Sequence, residues 1–176
     1  PPAKGGVDMQ EIPDCLAAAV GEFDHFPETI RRRIVQHYYA AISLIDDNVG
    51  RLVDTLRKTG QLADTVIVFV ADHGEMLGHH GLLRKPSFHY DELLRVPLII
   101  RTPGLPARRV SGLVELVDLY PTLLGLLDLP VNPGVQGLDW SDALCDGAPI
   151  QRDDIYSEMH RMDPMVCETG AGPYTA

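Results

Sequence analysis

Cysteine is scarce in this chain, and the three present, Cys15, Cys145 and Cys167, are an odd number with no C-x-x-C pair. That pattern excludes a cysteine-built zinc site and a disulfide framework and leaves each thiol buried or incidental. Apolar runs are short, none approaching the roughly 20 residues that a membrane-spanning helix needs, so no membrane partner is expected. Nor do the first residues, PPAKGGVDMQ, show the basic patch and apolar stretch of a secretory signal. In the later part of a longer protein, which is how the chain reads below, that absence says nothing about compartment. Positive charge is the third shortage. The 15 Lys and Arg stand against 25 Asp and Glu, a formal net charge of -10. This excludes a nucleic-acid binder that works by neutralising phosphates, yet allows a small basic pocket for a single anion. Internal repeats and low-complexity tracts are missing as well.

What is present is the composition of a globular chain with one core: 176 residues, 45% of them hydrophobic. Residues 1–26 are rich in Pro, Gly and acids and read as a surface lead-in, with a short helix at Cys15 to Val20. From Glu28 to Lys58 the apolar residues Ile34, Tyr38, Ala41, Ile45, Val49, Leu52 and Leu56 recur in steps of three and four, which predicts a long amphipathic helix. Pro27 suits its first turn, Lys58 its negative end and Gly60 its stop. Its length invites a bend near Asp46 to Gly50. Asp46 and Asp47 themselves suit a solvated face or helix-to-sheet hydrogen bonds better than metal binding.

Thr65 to Val70 is β-branched and aromatic without polar alternation, the pattern of a strand buried on both faces of a parallel sheet. A second strand is expected at Pro97 to Arg101. Asp118 then caps a short apolar helix, Leu119 to Leu127, with Pro121 in its first turn. After Gly137 the signal fades into turns, with one more strand suggested at Asp154 to Ser157. Helix followed by buried strand implies an α/β layer structure.

Chemistry gathers where the first strand ends. In open α/β sheets ligands bind beyond the carboxyl ends of strands, and Asp72 and His73 stand there, in a loop freed by Gly74. A carboxylate and an imidazole make half of a divalent-metal site. On ADHG alone the simpler account, a capping Asp and a hydrogen-bonded loop His, is the favoured one.

The residues that follow are an ordered array: Gly78, His80, Gly81 and Lys85, then Arg95-Val96-Pro97 opening the next strand. This array resembles the sulfatase family of the alkaline-phosphatase superfamily, whose members carry D-[HN]-G-x-x-x-G-x-H-G-L-x-x-K and then R-V-P-L-I. YYAAISLIDDNVGRLVDTLRKTGQLADTVIVF upstream and LVELVDLYPTLLGLLDLP downstream extend the likeness over Arg32 to Leu138. The resemblance implies an alkaline-phosphatase-like α/β sandwich with a mainly parallel sheet between helices, incomplete in this chain. It divides the chain into the lead-in, a family-like core at 27–138 and a truncated tail at 139–176.

The resemblance also implies roles. Asp72 and His73 become metal ligands, and Lys85 the catalytic cation that binds the sulfate oxygens and the leaving-group oxygen. His80 and His89 become substrate contacts, with loop bracing an equal role for His80. Arg84 stays a solvated side chain and His79 has no assigned part. Calcium is the family's usual ion, while a histidine ligand suits manganese or zinc. The implied substrate is a sulfated small molecule or glycan.

The family's nucleophile, a formylglycine made from Cys or Ser in C/S-x-P-x-R, is missing: Cys15 is followed by LAAAV, Cys145 by DGAPI and Cys167 by ETGAG. The family's Asp-Asp metal pair is missing too. The chain therefore reads as the later part of a sulfatase catalytic domain, with the formylglycine upstream. By itself it is expected to be inactive and to bind metal weakly. Two other functions stay open: a phosphonate or phosphate ester hydrolase of the same superfamily, and a non-catalytic protein that keeps the fold for metal or anion binding or as a scaffold.

Overall fold

The computed structural model describes residues 23–86 and 88–158. The helix expected at Cys15 to Val20, with Cys15 and Cys167, lies outside them. The chain forms two compact units. Of the described residues, 23–52 and 73–96 belong to the first, and Val53–Asp72 with Pro97–Glu158 to the second.

The long helix, α1, spans Glu28–Lys58 and contributes to both units. The Pro27 carbonyl accepts from the Ile30 and Arg31 amides at 2.8 and 3.0 Å, which starts the helix where proline costs it no hydrogen bond. At the other end Gly60 takes φ 72°, its N–H bonds to the Arg57 carbonyl and that of Gln61 to the Leu56 carbonyl at 2.9 Å. This is the paired closure that a left-handed glycine allows. The helix is unbroken through Asp46 to Gly50. Its apolar stripe runs as the spacing predicts, but none of its residues is buried, and Leu52 is 66% exposed.

In the first unit, Met76, Leu82 and Leu93 form a small core, with Phe88 and Tyr90 packed on it. Each such buried side chain contributes about 1.5–3 kcal/mol. The chain from 73 to 84 folds tightly around this core. Gly74 N–H bonds to the Leu93 carbonyl at 2.9 Å, Met76 N–H to Arg84 at 3.0 Å and Gly78 N–H to Leu82 at 2.8 Å. A short helix, α2 (Asp91–Leu94), brings Leu93 to the core. The surface lead-in ends in a buried anchor, Phe23, which is 8% exposed and whose N–H bonds to the Gly81 carbonyl at 2.9 Å.

The second unit contains two strands, β1 (Ile67–Val70) and β2 (Leu98–Arg101). They pair antiparallel, Ile67 opposite Arg101 and Val70 opposite Leu98. This corrects the expected parallel sheet for the described residues. A parallel neighbour needs a crossover that returns the chain to the starting end, usually on a helix. The link from Val70 to Leu98 instead joins paired ends, and its longest helix is the four-residue α2. Burial on both faces does not hold either, since Phe69 and Ile99 are 37% and 64% exposed. Arg101 fastens the end of β2 by donating to the Leu62 and Thr65 carbonyls at 2.8 and 2.9 Å.

The rest of this unit is built on α3 (Leu119–Leu126) and α4 (Ser141–Asp146). Asp118 does not cap α3 with its side chain. It closes a capping box with Glu115 across the 3-10 turn Leu116–Asp118. Fully buried, it also accepts from Leu138 N–H at 2.8 Å and from Arg152 at 2.9 Å. Arg152 donates to Glu115 as well, at 2.8 Å. Thr122 joins the 138–140 segment to α3, donating to the Leu138 carbonyl at 3.3 Å and accepting from Trp140 N–H at 3.2 Å. The strand expected at Asp154 to Ser157 is irregular backbone: here Tyr156 N–H bonds to the Glu115 carboxylate instead of to a neighbouring strand. Among the described residues, no helix is long and apolar enough to cross a membrane.

Candidate functional site

Asp72 and His73 are consecutive, the first exposed and the second half-buried. The His73 Nδ1 lies 2.8 Å from the Gly74 carbonyl oxygen. A carbonyl only accepts, so in this contact Nδ1 is the donor. That is how ligating histidines are commonly prepared, with one nitrogen donating to the backbone and the other directed to a cation. Asp72 and His73 carry a carboxylate and an imidazole, donor types that a divalent metal takes. Among the described residues no group of three His, Cys, Asp or Glu side chains could hold a metal ion.

Gly74 follows for a reason other than backbone freedom. A Cβ at this position would stand 1.7 Å from the Glu92 carbonyl oxygen, so only glycine lets the turn after His73 close on α2.

The loop then tightens. Leu77, His80 and Arg84 adopt positive φ, at 44°, 54° and 63°, a region that non-glycine residues occupy at a cost of about 1–3 kcal/mol. One carboxylate offsets part of that cost. Glu75 Oε1 accepts from the Leu77 amide at 3.2 Å and from the Arg84 amide. This fixes the residue before Lys85, which is exposed and has no ion pair among the described residues. A lysine in that state is available to an anion.

His79 and His80 turn toward α2. His79 Nδ1 lies 3.0 Å and His80 Nε2 3.7 Å from the same Glu92 oxygen. The His80 ring stacks on Tyr90, centroids 4.5 Å apart at 17°, and Phe88 meets Tyr90 edge-on at 6.0 Å. Glu92's own backbone N–H holds its carboxyl below the usual range; burial opposes this, while the charges of His80 and His79 add to it. Beneath the turn, the Phe23 ring lies 2.6 Å from where a Gly78 Cβ would be.

Of the predicted residues, His73, His80, Lys85 and His89 lie in the first unit and Asp72 ends a segment of the second. His89 is exposed. The sequence reading did not single out Glu75, Tyr90, Glu92 or Phe23. An acid nine or thirteen residues from its partner leaves no periodic signal, and Phe23, an aromatic group in a polar stretch, was the one faint cue. A concavity of about 330 Å³ lies elsewhere, lined by Trp140, Asp142, Ala143, Asp146 and Ile150, and includes none of the predicted residues.

The turn after β1 and the loop carrying Lys85 are the segments that the sequence motif singles out. Comparison with known proteins is more definite. The profile described as Sulfatase matches residues 9–129, and the chain belongs to the sulfatase family. Iduronate 2-sulfatase of Mus musculus is 35% identical over 154 residues, covering 72% of this chain and 28% of that protein. The structure of BT4656 in complex with its substrate D-glucosamine-2-N,6-O-disulfate is similar with TM-score 0.60 and 36% identity, over 66% of this chain and 24% of the other. A phosphonate monoester hydrolase from Silicibacter pomeroyi has TM-score 0.56 and 37% identity, over 62% and 22%. The chain thus spans under a third of the length of these relatives.

Proposed function

We propose that the full-length protein containing this chain hydrolyses sulfate esters, with this segment supplying part of the active site. Membership of the sulfatase family carries the reading. Asp72 and His73, the latter through Nε2, would hold a divalent cation, calcium by family habit and manganese or zinc by the histidine. Such an ion polarises a sulfuryl oxygen when bound. Lys85 would pair with the sulfate oxygens and offset the charge that grows on the leaving oxygen as the S–O bond breaks. His80 and His89 would donate hydrogen bonds to the substrate. The nucleophile, a formylglycine, would come from outside this chain. The complex of BT4656 with a disulfated glucosamine supports a sulfated sugar as the substrate class.

Phosphonate monoester hydrolysis is the second reading, favoured by the likeness to the Silicibacter enzyme. A tetrahedral anion beside a metal and a lysine has similar needs in both reactions. Comparing kcat/KM of the full-length protein for an aryl sulfate and an aryl phosphonate decides between them. A preference for the sulfate of 10-fold or more upholds the first reading, the reverse order replaces it, and turnover of neither favours a binding or scaffolding role.

A further inference from the structure

The His79–His80 turn has a partner on α2 that no role assigned above requires. Glu92 presents a single oxygen to both rings, at 3.0 Å from His79 Nδ1 and 3.7 Å from His80 Nε2. The first distance is a hydrogen bond and the second is too long for one, leaving only through-space attraction. His80 is further defined by its stack on Tyr90 and by its left-handed φ of 54°. The main chain of Glu92 is engaged too: its carbonyl closes on Gly74, and the next carbonyl, Leu93, accepts the Gly74 N–H at 2.9 Å. One residue of α2 therefore touches the turn that follows Asp72-His73 with its backbone and the histidine turn with its side chain.

We propose that Glu92 is a positioning residue, one that anchors His79 and thereby holds the His80 ring on Tyr90 in the orientation from which it meets substrate. The last clause rests on the sulfate-ester reading; the anchoring does not. Glu92 touches no substrate in this scheme and acts through the imidazoles. Its neighbour Asp91 serves as the internal control, because it pairs at 3.5 Å with Arg95 and both are largely exposed.

The test uses the full-length protein with histidines labelled at Cε1. In Glu92→Ala, the His79 and His80 ring resonances should move and the Tyr90 ring-current shift on His80 should fall by about half or more, whereas Asp91→Ala should match wild type. Glu92→Gln, which keeps an acceptor but loses the charge, should lie between the two. Turnover of an aryl sulfate by Glu92→Ala should drop about 10-fold or more in kcat, the scale of lost outer-shell support, with KM changed less than about 3-fold. An unmoved His80 resonance in Glu92→Ala overturns the proposal. Moved resonances with kcat intact uphold the anchor and remove His80 from substrate contact. If the wild type turns over no sulfate ester, the resonances still decide the anchor.

Discussion

Gly74 and Glu92 meet backbone to backbone, with no room for even one methyl group between them: a Cβ on Gly74 would fall 1.7 Å from the Glu92 carbonyl oxygen. Gly74→Ala should therefore destabilise the first unit by about 2–3 kcal/mol or more, the upper range for overpacking. Gly50 lies in α1, and a Cβ there would meet nothing within 4 Å, so Gly50→Ala should stabilise by about 0.5–1 kcal/mol. Urea titrations of the two variants should shift their midpoints in opposite directions.

Asp118 is fully buried and holds Glu115, Leu138 and Arg152 through its two oxygens. Asp118→Ala leaves Arg152 and two amides without that acceptor, and breaking a buried pair from one side costs about 3–5 kcal/mol. Arg152→Met should cost about as much, because it leaves two carboxylates close together. The double variant should cost less than the sum, which thermal melts of the three proteins would show.

Glu92 gives the first unit an acid-sensitive contact. Its folded-state carboxyl is held below the ordinary value by its own N–H, with help from His80 and His79 against opposing burial. The ionised group therefore adds stability that is fully present above the unfolded carboxyl value and lost as pH falls through the folded one. Glu92→Gln should flatten the acid side of the stability curve while leaving the neutral plateau lower. Melting temperatures measured from pH 7 down to pH 3 check this.

On the sulfate-ester reading proposed above, Lys85 bears on the chemistry alone. It is exposed and makes no ion pair among the described residues, so Lys85→Ala should leave the melting temperature of the full-length protein within about 1 °C, as surface substitutions do. Its kcat for an aryl sulfate should fall about 100-fold or more, the scale for losing one group that stabilises developing charge. Lys85→Arg should recover little, since a planar fork does not replace a point charge.

Much of the local structure was legible in the residues. α1 begins and ends where Pro27, the three-and-four spacing and Gly60 put it, because helix limits depend on groups within a turn of each other. β1 and β2 were equally visible, but their antiparallel pairing was not, since strand direction depends on the path between them rather than on either apolar run. Asp118 shows the limit most clearly. An acid ahead of an apolar run is the same letter pattern whether it caps that helix or closes a capping box one turn earlier, and only Arg152 and Leu138, far along the chain, distinguish the two. The candidates Asp72, His73, His80 and Lys85 were singled out by motif. Their bracing by Glu75, Glu92 and Tyr90 required the fold of the loop.

The β1–β2 ribbon has a consequence for how the chain behaves in company. Among the described residues the sheet is all edge, each strand presenting one row of backbone donors and acceptors that its partner does not use. On β1 that row lies along VIVFV, a short uncharged window of strong β-formers with neither lysine nor proline in it, the composition from which cross-β stacking starts. β2 is blunted at its entry by Pro97 and at its exit by Arg101. For β1 the interruption comes from its flanks, Asp64 before it and Asp72 directly after Ala71. Asp72 thus has a gatekeeper's part beside the ligand's role proposed for it, and its removal would lengthen a sticky segment.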